Sequence, residues 1–199
     1  LDDAFALEIL KLLVEKCPES VRHSSIMGNL PLHFACGGGE KSPEFCRILI
    51  EAYPGSEQSA NNVGALPFHL ACKRGTVATA EYLYKLYPDA INMADEVGRY
   101  PINYAILGIS ERNDPATAIE MVRFLLDCDP NVKLQKYQGR QLLLHFACVE
   151  EYDDFNIEAG IQIIKVIYDA HPEAIDSNGI TSNIHRYHQQ VRTFLNGEL

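Results

Sequence analysis

The chain has 199 residues, of which 47% are apolar and 22% charged, a globular composition rather than a disordered one. With 17 Lys and Arg against 27 Asp and Glu, it carries a net charge of −10. That balance argues against nucleic acid and anionic membrane, which both need a basic footprint. No window approaches the roughly 18 consecutive apolar residues of a membrane span. The chain opens Leu1-Asp2-Asp3 without Met, which reads as a fragment or a processed product.

In chain order, the first apolar stretch carries Leu10 and Leu13 ahead of Pro18. The same offsets recur as Cys46 and Leu49 before Pro54, and as Ala80 and Leu83 before Pro88. They recur again as Val122 and Leu125 before Pro130, and as Ile164 and Ile167 before Pro172. An offset of three puts each pair on one helical face. Each proline then closes its helix, because the residue before a proline avoids the α region.

Between these stretches a second motif repeats. It reads Gly28-Asn29-Leu30-Pro31-Leu32-His33-Phe34-Ala35-Cys36, then Gly64-Ala65-Leu66-Pro67-Phe68-His69-Leu70-Ala71-Cys72. Gly98-Arg99-Tyr100-Pro101-Ile102-Asn103-Tyr104-Ala105-Ile106 follows, with Asn103 in the histidine position. The last copy, Gly139-Arg140-Gln141-Leu142-Leu143-Leu144-His145-Phe146-Ala147-Cys148, has one extra residue and no proline. Positions 33, 69, 103 and 145 each lie 15 residues after one of the prolines, so two independent anchors give one register. The expected organisation is one domain over 1–199: a half repeat at 1–27, full repeats at 28–63, 64–97, 98–138 and 139–178, and a capping remnant at 179–199. In each unit, Pro31, Pro67 or Pro101 opens a short helix at a position where its missing N–H costs nothing. The small Ala35, Ala71, Ala105 and Ala147 allow close packing, and Gly39 and Gly75 are expected to end the helix.

The unit resembles the ankyrin repeat, whose Thr-Pro-Leu-His-x-Ala helix start lies in a 33-residue helix–turn–helix with a hairpin finger. Leu30 and Leu66 replace the family's Thr, and Tyr53-Pro54 and Tyr87-Pro88 replace its Gly-Ala-Asp. This variant resembles the divergent ankyrin arrays of algal proteins. The resemblance implies an all-α ankyrin solenoid with His33, His69 and His145 as turn histidines. It also implies a non-catalytic protein-interaction module or assembly scaffold that takes a partner protein on its concave face. The alternatives are a regulatory or targeting region of a larger enzyme, or a structural linker in a large complex. Mapped onto this chain, the face comprises Ile26, Met27, Asn29, Gly37 and Gly38, then Asn62, Val63, Ala65, Lys73 and Arg74. It continues through Glu96, Val97, Arg99, Leu107 and Gly108 to Gln138, Arg140 and Val149. Met27, Val63 and Val97 all precede a finger glycine and are expected to form an apolar stripe rimmed by Lys73, Arg74 and Arg99.

The spacing from the histidine position to the next proline is 21, 19, 27 and 27 residues, so insertions fall between the helices of the last two full repeats, at 108–115 and 149–157. The second is acidic, with Glu150, Glu151, Asp153, Asp154 and nearby Glu158. Ile184-His185-Arg186-Tyr187 is read as opening a polar capping helix, with His171, His185 and His188 solvated.

The residues give no chemistry of their own. The recurrent His-x-x-Cys pairs (His33/Cys36, His69/Cys72, His145/Cys148) are spread one per repeat, about 10 Å apart along the stack, which cannot close a tetrahedral zinc site. Gly37-Gly38-Gly39-Glu40-Lys41-Ser42 lacks the Gly-Lys-Ser/Thr order of a phosphate loop and follows a helix. No Gly-x-Ser-x-Gly elbow or His-Glu-x-x-His motif occurs. No enzyme activity, cofactor or metal is therefore expected. The six cysteines, without a Cys-x-x-Cys, read as reduced, buried small hydrophobes in an intracellular, cytoplasmic protein.

Overall fold

The computed structural model describes residues 3–39, 42–139, 141–177 and 187–198. Helix α1 (Asp3–Lys16) precedes four helix pairs. These are α2 (Pro31–Cys36) with α3 (Pro43–Ala52), and α4 (Pro67–Arg74) with α5 (Val77–Leu86). Next come α6 (Pro101–Leu107) with α7 (Ala116–Cys128), and α8 (Leu143–Val149) with α9 (Ile157–Ala170). The short α10 (Ala174–Ser177) and α11 (Gln189–Glu198) follow. Short helices α2, α4, α6 and α8 pack in a row, and α1, α3, α5, α7 and α9 form a second row behind them. The result is an all-α solenoid of stacked helix pairs.

Both sequence anchors act as read. Each long helix stops two residues before its proline, at Lys16, Ala52, Leu86, Cys128 and Ala170. After three of them the proline's fixed φ starts a tighter turn, at Pro18–Arg22, Pro88–Asn92 and Pro130–Leu134. The offset pairs form the spine of the core: Cys46, Ala80, Val122 and Ile164 are all 0% exposed. Leu49, Leu83, Leu125 and Ile167 are buried beside them. Leu13 occupies the same register in α1 but is 53% exposed, for among the described residues no short helix pairs with α1.

Three expectations are corrected. Helix α2 ends at Cys36 with Gly37 as its cap, and Gly39 sits beyond it at a left-handed φ of 75°; Gly75 does cap α4. Of the cysteines, Cys36, Cys46, Cys72 and Cys148 are buried, but Cys17 is exposed and Cys128 half-buried; all six are free thiols. The C-terminal helix is amphipathic rather than polar, with Val191 and Leu195 fully buried against α9. The predicted start of that helix at 184–186 and His185 lie outside the described residues.

Both insertions lie where the spacing puts them, between α6 and α7 and between α8 and α9. The first folds back along the stack. Gly108 lies so close to the end of α4 that a Cβ there would come within 2.0 Å of the Lys73 carbonyl oxygen. The Arg112 guanidinium then donates to the Cys72 carbonyl at 2.8 Å and the Gly75 carbonyl at 2.9 Å. A cation thereby caps carbonyls that α4 cannot satisfy itself. The second insertion is anchored by Tyr152, whose ring lies against Gly160 and whose hydroxyl donates to the Ala147 carbonyl at 2.6 Å.

Candidate partner-binding face

The loop before each short helix is a finger with a polar acceptor three residues ahead of its glycine. Asn61 Oδ1 accepts the amides of Val63 and Ala65 at 3.1 and 3.0 Å. Asp95 Oδ1 does the same for Val97 and Arg99 at 3.0 and 2.8 Å. Ser25 Oγ does it more loosely for Met27 and Asn29, both at 3.3 Å. Side chains that bond their own backbone two and four residues on favour such turns. These acceptors lie outside the expected face, although Ser25, Asn61 and Asp95 recur in register and all are turn-forming types. Lys136 stands in the same place before Gly139 and cannot accept. There the finger becomes a true hairpin, β1 (Lys136–Tyr137) against β2 (Gln141–Leu142), with Gln138 and Gly139 both left-handed at φ 50° and 67°. The hairpin absorbs the extra residue, so α8 still begins in register.

Adjacent fingers are joined through their backbones. The Asn62 amide donates to the Met27 carbonyl and the Glu96 amide to the Val63 carbonyl, both at 3.0 Å. Gly28 and Gly64 adopt φ of 75° and 77°, and each lies against the next finger, where a Cβ would meet Asn62 or Glu96 within 3 Å. Only glycine meets both demands.

A histidine link ties each finger row to the helices. His33 Nδ1 accepts the Leu30 amide at 3.1 Å and Nε2–H donates to the Ala65 carbonyl at 3.2 Å. His69 repeats this with the Leu66 amide at 3.1 Å and the Met93 carbonyl at 3.1 Å. Burial pushes both histidines down from the ordinary value, His69 to about 4, so both are neutral as this bonding pattern requires. Asn103 Oδ1 takes over the first half of the link, accepting the Tyr100 amide at 2.9 Å. His145, expected as the third turn histidine, does not act this way: its Nδ1 is buried without a hydrogen-bond partner.

The stripe residues are exposed where they were expected. Ile26 is 95% exposed, Met27 52%, Val63 38% and Val97 41%; Asn62, Glu96 and Gln138 are also exposed. Other predicted positions differ. Ala65 is 1% exposed and offers its carbonyl to His33, while Gly108 is buried under Lys73. Asn29 is half-buried and accepts from Asn61 Nδ2 at 2.7 Å; Leu107 is half-buried, Val149 is exposed, and Arg140 lies outside the described residues. The cations of the rim are engaged. Lys73 Nζ lies 2.6 Å from Glu111, and Arg74 pairs with the same carboxylate. Those cations hold Glu111 below the usual carboxylate range despite its partial burial. Arg99 pairs with the buried Asp95 at 3.5 Å and lies over the Tyr104 ring, whose hydroxyl donates to Asp95 at 2.9 Å. The face is therefore an apolar stripe whose three border cations are paired with two carboxylates.

At the other end of the short helices a cleft of about 420 Å³ opens between Gly37, Gly39, Gly75, Arg112, Asn113 and Glu120. Its cationic groups are spent on Glu111 and on the carbonyls of α4. Among the described residues no group of three or more His, Cys, Asp or Glu could hold a metal ion, and no helix is long and apolar enough to cross a membrane.

Residues 4–95 match the family model for ankyrin repeats, in 3 copies. Among solved structures, the ankyrin repeat domain of Bcl-3, described as a unique member of the IkappaB protein family, superposes with a TM-score of 0.65 at 20% identity. That match covers 96% of this chain and 77% of the other. No curated protein matches the chain. The repeat register, the paired-helix stack and the family model over residues 4–95 agree on an ankyrin-type solenoid.

Proposed function

We propose that the chain is a non-catalytic docking module that takes a protein partner along the finger side of the stack. Ankyrin repeats are generally protein–protein interaction modules. The observation that supports this site is the row Ile26, Met27, Val63 and Val97. Four apolar side chains stand in solvent on fingers whose backbones are fixed by Asx-type turns, by interfinger hydrogen bonds and by the histidine links. A preformed surface of this kind loses little conformational entropy on binding, so its apolar contacts convert efficiently into affinity. The stripe, with Asn62, Glu96 and Gln138 beside it, fits an apolar ridge of the partner. Because Lys73, Arg74 and Arg99 are already paired, an acidic partner is not required.

The test is the triple variant Met27→Asp, Val63→Asp and Val97→Asp. All three side chains are substantially exposed, so melting temperature and helical circular dichroism stay near the parent values. Immobilised parent chain retains a partner from native lysate, and the variant loses at least tenfold of that retention. Equal retention by a folded variant disproves the site.

A further inference from the structure

The first full helix pair differs from the others at its centre. In every pair, the residue three after the histidine position on the short helix and the residue eight before the proline on the long helix are both buried. In α4 and α5 these are Cys72 and Ala80, in α6 and α7 Ile106 and Val122, and in α8 and α9 Cys148 and Ile164. In α2 and α3 alone both are cysteines: Cys36 and Cys46, 1% and 0% exposed, with Sγ atoms 3.4 Å apart. The segment between them opens on Gly37, Gly38 and Gly39, with Gly39 at a left-handed φ.

We propose that Cys36 and Cys46 form an oxidation site, closed to a disulfide by a peroxide, which locks the first helical hairpin of the stack. The two thiols are already in contact. Closing the bond to about 2.05 Å needs side-chain rotation and a small helix shift, not a rearrangement. The chemistry balances as two thiols plus one peroxide O–O bond giving one disulfide and two molecules of water or alcohol. One thiolate attacks the peroxide oxygen to form a sulfenic acid, and the second thiol displaces water from that sulfur. Burial pushes the Cys36 thiol well up, so attack proceeds when the α2–α3 hairpin opens locally; reclosure then brings the second sulfur back against the first. The lock spans Gly37 and Gly38, at the end of the short helix away from the fingers, and the proposal does not rest on the docking function.

The fully reduced chain is treated with hydrogen peroxide, remaining thiols are alkylated, and the product is mapped after trypsin. Cleavage after Arg22, Lys41 and Arg47 separates Cys36 in 23–41 from Cys46 in 42–47. The expected product is those two peptides joined, 2 mass units lighter than the reduced pair. The intact oxidised chain shows a rise in melting temperature of about 5–10 °C that dithiothreitol reverses. The variant Cys46→Ala places in α3 the residue that the next pair carries at Ala80. It folds and shows neither the link nor the temperature shift. Alkylatable thiols persisting at both positions while Cys17 and Cys128 are oxidised overturns the proposal. So does a link from Cys36 to Cys72 in the folded chain.

Discussion

His33 and His69 each join an amide of their own turn to a carbonyl further along the chain, and the end at which Nδ1 accepts the amide requires an uncharged ring. His69 shows the energetic consequence. Its folded-state value is about 4 against an ordinary 6.5, mainly because burial disfavours the charged form. Between those values the unfolded chain binds a proton that the folded chain refuses. Stability contributed by the neutral ring is therefore complete above about pH 6.5 and is lost progressively as pH falls toward 4, by about 3 kcal/mol in total. The variant His69→Asn separates this from the hydrogen bonding. Asn103 shows that an amide can accept the turn's N–H, so only the bond to the Met93 carbonyl goes. Expected from urea unfolding is a loss of about 1–2 kcal/mol at pH 7 and a smaller acid-dependent decline than in the parent. A variant that declines as steeply between pH 6.5 and 4 places the acid sensitivity elsewhere.

At the scale of elements, the insertion at 108–115 is a brace rather than a free loop. Arg112 crosses from between the helices of the third full repeat to the end of the second repeat's short helix, where two carbonyls and the negative end of the helix dipole converge. The variant Arg112→Met keeps the aliphatic stem but leaves the Cys72 and Gly75 carbonyls without that donor. Since bonds to charged groups each contribute about 1.5–3 kcal/mol, a loss of about 2–3 kcal/mol is expected in chemical denaturation. Amide exchange should also quicken around 72–76. Unchanged stability contradicts the brace. The position of this element was legible, because the spacing from histidine to proline lengthens by whole residues there. Its direction was not, for nothing local in Glu111-Arg112 marks partners 37 or more residues upstream. The rim shows the same limit: Lys73, Arg74 and Arg99 look free in sequence, yet the first two share Glu111 and the third pairs with Asp95.

For the whole molecule, the register of prolines and histidine positions was enough to read the stack, because each unit's apolar pairs are buried by immediate neighbours and not by distant sequence. Ala65 marks where that logic fails. Its place in the finger resembles an exposed one, but the His33 link from the preceding repeat pulls its backbone inward. Nearest-neighbour burial also makes stability uneven along the described residues, since α1 packs on α3 alone among the long helices, whereas α5 packs on both α3 and α7. The register supplies matched probes of this. Leu83, 2% exposed between α4, α3 and α7, and Leu13, 53% exposed on α1, are the same residue type at the same offset. Truncation of Leu83 to Ala removes packing on all sides and is expected to cost about 2–5 kcal/mol, whereas Leu13→Ala costs under about 1 kcal/mol. Hydrogen exchange should follow the same order, with α1 amides exchanging through local fraying and α4 to α7 amides only through larger openings. Equal costs at the two leucines contradict a stability that declines toward α1, and mean that one cooperative unit spans the stack.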